Sequence, residues 1–157
     1  MAVYAGLRRS ELFHLEWRDI DLKNEVVTVA PQGMQRSTKN NRIRRIPINQ
    51  ELAELLRQHP RRLDTKLVFS NKWGQAYNNI RKTLLKAGEA IAVEGTLTMH
   101  QLRHAFCSHA LMAGIDVRSV QSWMGHRDLK TTLRYAHILP DHERRVMQQL
   151  SFQREAV

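Results

Sequence analysis

The chain has one cysteine, Cys107, so an internal disulfide is excluded and a reducing cytoplasm suits it. Phe106, Leu111 and Ala113 lie around it in sequence, which reads as a small buried hydrophobe rather than a reactive thiol. Apolar runs are only a few residues long, too short to span a bilayer. The start has no charged region followed by an apolar stretch, so no secretory leader is expected. Aromatic residues are scarce at 6%, and no segment is basic on one face and richly aromatic on the other, which disfavours a membrane surface. Trp17, Trp73 and Trp123 are not spaced as a base-stacking platform and read as core or interface anchors. Internal repeats, low-complexity tracts and flexible linkers are absent as well.

What the chain does have is positive charge. Lysine and arginine number 25 against 15 acidic residues, a net charge of +10. With 42% hydrophobic residues in 157, this is one globular domain with a proper core and not a basic tail. The cations are spread in clusters: Arg8-Arg9, Arg36 to Arg45, Arg61-Arg62, Arg81-Lys82 and Arg127 to Arg134. A folded domain this basic faces a polyanion, and counterion release from phosphates would drive the binding; a merely solubilising surface is the bland alternative. The candidates for contacting DNA phosphates are Arg9, Arg36, Arg42, Arg44, Arg81, Arg127 and Lys130.

Hydrophobic spacing predicts a mainly α fold with a small antiparallel β-sheet near its start, an α+β class. A helix is expected over Leu7–Trp17, followed by a strand over Val26–Ala30 that Pro31 ends. The alternating Ile43–Ile48 segment can pair with that strand, and the polar run Ser37-Thr38-Lys39-Asn40-Asn41 reads as the hairpin tip. Asn49 should cap a helix with Leu52, Leu55 and Leu56 on one face, stopping at Pro60. Leu67–Phe69 is a candidate short strand, and Ile80, Leu84 and Ala87 predict a helix within Tyr77–Val93. Thr98 with Gln101 forms a capping box for a helix that Gly114 closes. Asp116 caps a short helix ending at Gly125, Asp128 caps one carrying Tyr135, and Pro140 opens a last helix.

The chemistry concentrates in the last third. His100, Arg103 and His104 share a helix face or its edge. Tyr135 follows His126 by nine residues. A phenol, imidazoles and a guanidinium fork are the groups needed to attack a phosphodiester and hold its oxygens. Two other readings compete. His100 and His104 have a zinc-helix spacing, but Gln101 stands where a metalloprotease needs its glutamate, and Arg103 would put a cation beside the metal. Asp116 to His137 also reads as a helix-turn-helix, with Thr131-Thr132-Leu133-Arg134-Tyr135 on a base-reading helix.

Four segments in order resemble the catalytic domain of the tyrosine recombinases, the phage integrase family. Ala5-Gly6-Leu7-Arg8-Arg9-Ser10-Glu11-Leu12 resembles the first box, with its arginine on Arg8. Lys39, eight residues before Pro47, resembles the hairpin lysine. His100-Gln101-Leu102-Arg103-His104 resembles the second box, and Met124-Gly125-His126 with Tyr135 resembles the last. Met124 stands where leucine is usual, a swap that conserves volume. Arg8 comes almost at once, whereas family members place further helices and a separate DNA-clamping domain before it. The resemblance therefore implies a single catalytic domain over 1–157, lacking those first helices and the N-terminal core-binding domain.

The resemblance implies that Tyr135 attacks a DNA phosphodiester to give a 3′-phosphotyrosyl link and a free 5′-hydroxyl, with strand exchange and rejoining to follow. It casts His100 as the base, Arg8 and Arg103 as clamps on the non-bridging oxygens, His126 as a further donor and Lys39 as the acid for the leaving oxygen. Glu11 and His104 would orient these groups. The cations would stand in for a metal electrophile, so neither a metal nor another cofactor is implied. The expected partner is double-stranded DNA, bound by a monomer that tetramerises on synapsed sites. A type IB topoisomerase shares this chemistry, and an inactive DNA-binding remnant is the non-enzymatic alternative.

Overall fold

The computed structural model describes residues 1–30, 43–126 and 128–133. The hairpin tip and the helix expected from Pro140 lie outside the described residues. The chain divides into two compact units, Met1–Phe106 and Cys107–Val157.

In the first unit, α1 (Ala2–Ala5) ends at Gly6, which takes the left-handed conformation at φ 61°. Helix α2 (Arg9–Phe13) follows. A 3₁₀ turn (Trp17–Asp19) leads into β1 (Ile20–Asp21), β2 (Val26–Val29) and β3 (Arg44–Pro47). The three strands form an antiparallel sheet in the order β1-β2-β3. Val27 pairs with Ile20 on one side and Ile46 on the other, and all three are buried. This is the period-two alternation of β-branched residues at work: alternate side chains face the core, and each such side chain contributes roughly 1.5–3 kcal/mol on burial. The expected pairing of the Val26 and Ile43 segments is therefore present. The third strand is Ile20–Asp21; Leu67–Phe69 supplies only a single bridge from Leu67 to Glu16.

That bridge explains why the helix expected over Leu7–Trp17 shortens to Arg9–Phe13. Leu15 leaves the helical path, its carbonyl accepting from Val68 N at 2.8 Å, and Trp17 N donates to Lys66 O at 3.0 Å. Pairing distant in sequence wins over local helical periodicity here. Helix α3 (Gln50–Gln58) starts where expected, Asn49 accepting from Leu52 N at 3.0 Å. Its buried face is Leu52, Ala53 and Leu56, whereas Leu55 is half exposed. Helix α4 (Arg81–Ala90) begins four residues later than expected, and Gly88 rather than Ala87 is its buried position. Of the tryptophans, Trp73 is no core anchor; it is exposed, with Lys72 Nζ 4.4 Å from its ring centroid.

Helix α5 (Met99–Met112) opens with the expected capping box: Thr98 N donates to Gln101 Oε1 at 2.7 Å and Gln101 N donates to Thr98 Oγ1 at 3.2 Å. The boundary between the units falls within it. Cys107 is fully buried, as its neighbours suggested. The second unit continues with α6 (Val117–Met124) and α7 (Leu129–Leu133). Asp116 caps α6 by accepting from Ser119 N at 2.9 Å, and Met124 is buried at its end. Among the described residues no helix is long and apolar enough to cross a membrane.

Candidate active site

Three charged side chains meet where α2 approaches the sheet. Arg8 is the residue before α2, and Glu11 lies in the first turn. Glu11 Oε2 accepts from Arg8 N at 2.6 Å, and Glu11 Oε1 accepts from Arg8 Nη1 at 2.9 Å. A carboxylate at this position satisfies a backbone donor that the helix itself leaves unbonded. From β3, Arg44 lays its fork on the same carboxylate, Nη1 to Oε1 at 2.9 Å and Nη2 to Oε2 at 2.6 Å. Burial pushes the Glu11 carboxyl up, but the Arg44 fork, the Arg8 N–H and the Arg8 guanidinium together outweigh it and hold the group at about 2. Glu11 is thus a fixed anion. The Arg8 side chain stays 43% exposed while that of Arg44 is only 10% exposed. Arg44, expected among the DNA-contacting cations, lays its fork on Glu11, a nearly buried carboxylate that calls for such a partner.

The second arginine reaches the same turn from far along the chain. Arg103 is buried in α5, and its Nη1 donates to the carbonyl of Gly6, two residues before Arg8. The left-handed Gly6 both ends α1 and offers that carbonyl. A single short turn therefore carries Arg8 and anchors Arg103.

One turn of α5 places His100 and His104 side by side. Their Nε2 atoms are hydrogen-bonded to each other, with ring centroids 4.0 Å apart in an edge-on arrangement. One ring donates and the other accepts. Burial chiefly, then the neighbouring His100 and Arg103, pushes His104 below the ordinary histidine range. The hydrogen bond from one ring to the other fixes how the His100 imidazole is turned.

In the second unit, Gly125 at φ 62° ends α6, and the N–H of His126 donates to Gln121 O at 3.1 Å. This closing turn fixes the His126 backbone. Its Nδ1 lies 2.9 Å from Thr132 Oγ1 on α7, and Thr132 is fully buried. A base-reading helix would present Thr132 outward; here the hydroxyl faces in and holds an imidazole.

The remaining expected cations divide. Arg9, Arg81 and Lys130 are exposed. Lys39, Tyr135, Arg36, Arg42 and Arg127 lie outside the described residues. Three features escaped the sequence: the Gly6 carbonyl, the inward turn of Arg44 and the Thr132 hydroxyl. The Ala5-Gly6 and Thr131-Thr132 pairs were visible within the matching boxes, but nothing in them announced these bonds.

The phage integrase family pattern matches residues 1–142, and the chain belongs to that family. It is 33% identical over 147 residues to the tyrosine recombinase XerC of Thermodesulfovibrio yellowstonii, covering 85% of this chain and 46% of the relative. To the tyrosine recombinase XerD of Staphylococcus aureus it is 32% identical over 154 residues, covering 92% and 50%. Its fold is similar to the XerA recombinase, with TM-score 0.73 and 26% identity over 96% of this chain and 56% of that one. It is also similar to the Tn1549 transposon integrase in complex with circular intermediate DNA, with TM-score 0.71 and 26% identity over 96% and 57%. The chain spans about half the length of the curated relatives it matches.

Proposed function

We propose that this chain is the catalytic part of a site-specific DNA recombinase that cuts and rejoins strands through Tyr135. The observation that carries the reading is the turn from Gly6 to Arg8, which anchors one buried guanidinium and bears another. Two forks so placed can bind the non-bridging oxygens of one phosphate and stabilise the charge that grows there as the nucleophile attacks. Relatives named tyrosine recombinases, and an integrase solved with circular intermediate DNA, support the same reading.

In this reading the phenol of Tyr135, whose ordinary pKa is about 10, loses its proton to His100 and attacks phosphorus. The bond to the 5′-oxygen breaks, and Lys39 gives that oxygen a proton. His126 donates a hydrogen bond to the phosphate from the position Thr132 gives it. The phosphotyrosyl link conserves the bond energy, so rejoining by a 5′-hydroxyl needs no nucleotide. Arg9, Arg36, Arg42, Arg81, Arg127 and Lys130 supply phosphate contacts along a duplex, with four copies assembling on two synapsed sites.

The test is a pool of nicked duplexes of random sequence, incubated with this chain and with its Tyr135→Phe variant. The short fragment beside the nick diffuses away and traps the adduct. DNA linked to Tyr135, absent from the variant while duplex binding persists, is the expected result. Equal adduct from Tyr135→Phe overturns the assignment of the nucleophile. Binding without adduct from either protein favours a DNA-binding remnant.

A further inference from the structure

Resting on the function proposed above, we propose that Arg44 is a positioning residue that keeps the charge of Arg8 available to a phosphate. The Glu11 carboxylate accepts four hydrogen bonds, two on each oxygen, shared equally between Arg8 and Arg44. A carboxylate has about four lone-pair sites, so this one is saturated. Within this trio two guanidinium groups share one carboxylate. Removing Arg44 leaves Glu11 with Arg8 alone of the two, and the anion draws the Arg8 fork onto itself. The field of such a pair largely cancels at a neighbouring phosphate. Arg44 therefore acts through Glu11, without touching the substrate.

The location of Arg44 adds a second consequence. It is the first residue of β3 and pairs with Val29, the last of β2. Lys39 lies between these two strands in the sequence, five residues before Arg44. One bidentate bridge thus ties this end of β3 to the helix that Arg8 opens. A lysine here would restore charge but not the planar fork.

The experiment compares the chain with Arg44→Met, Arg44→Lys, Glu11→Gln and the double variant Glu11→Gln/Arg44→Met, using nicked-duplex adduct formation, duplex affinity and thermal melting. Arg44→Met should slow adduct formation about 10- to 100-fold, the usual scale for a residue that orients a reacting group, with duplex affinity far less affected. Arg44→Lys should recover part of the rate. The double variant should be faster than Arg44→Met, because it also removes the anion that draws the Arg8 fork; loss of packing alone predicts no such recovery. A wild-type rate in Arg44→Met, or a double variant no faster than the single one, overturns the proposal. If the parent chain makes no adduct, the recombinase reading fails first. The Glu11 carboxyl, followed by carbon NMR, then decides separately: it should titrate higher in Arg44→Met than in the parent, and an unchanged titration overturns the role of Arg44.

Discussion

The carbonyl of Gly6 accepts a hydrogen bond from Arg103, a residue 97 positions further along the chain. This bond places the second guanidinium at the turn that carries the first. Arg103→Met leaves a buried acceptor unpaired and should cost about 1–3 kcal/mol in urea unfolding. Gly6→Ala forces a side chain into the left-handed region, at about 1–2 kcal/mol. Arg103→Lys keeps charge without the fork, and its adduct rate should fall about 100-fold or more while the duplex still binds. A near-normal rate in Arg103→Lys would sink the clamp assignment.

Thr132 offers an isosteric test. Thr132→Val removes the Oγ1 that meets His126 Nδ1 and keeps the volume, so adduct formation should fall about tenfold or more. Thr132→Ser keeps the hydroxyl and should retain most of the rate. Serine and valine variants with equal rates would show that packing, not the hydrogen bond, matters at this position.

Glu11 sets the acid side of stability. Its folded pKa, about 2, lies below the ordinary value of 4.5, so ionised Glu11 stabilises the fold above 4.5. That contribution is lost as pH falls through 4.5 towards 2. Urea midpoints measured across this interval should decline less steeply for Glu11→Gln than for the parent. Parallel curves would contradict the depressed carboxyl.

In the proposed reaction Lys39 is the acid that protonates the departing 5′-oxygen. Lys39→Ala should slow cleavage of an ordinary phosphodiester by about 100-fold or more, within the range of general acid catalysis. On DNA with a 5′-bridging sulfur, a leaving group that needs no proton, most of the rate should return. A defect of equal size on both substrates would remove Lys39 from that role.

Local chemistry was legible in the sequence. Asn49, Thr98 and Asp116 cap helices as read, because a cap is made within three residues of itself. The Val26 and Ile43 segments pair because alternation marks which face is buried. Family membership was legible too, since its boxes are short runs whose order survives in the chain.

Partners were not legible. Leu15 has helical spacing, yet it leaves the helix for Val68, more than fifty residues on. Arg44 shows only its charge in the sequence, and charge alone suggested a phosphate contact. Its carboxylate partner Glu11 lies 33 residues earlier and is met only once β3 is laid beside α2. The sequence by itself determined the kinds of groups present, the local elements and the family. Tertiary structure decided which guanidinium is turned inward, which is held by a carbonyl and which stays exposed. The physical reason is that capping and alternation act between near neighbours, whereas a buried carboxylate or carbonyl is satisfied by whichever donor the fold brings to it.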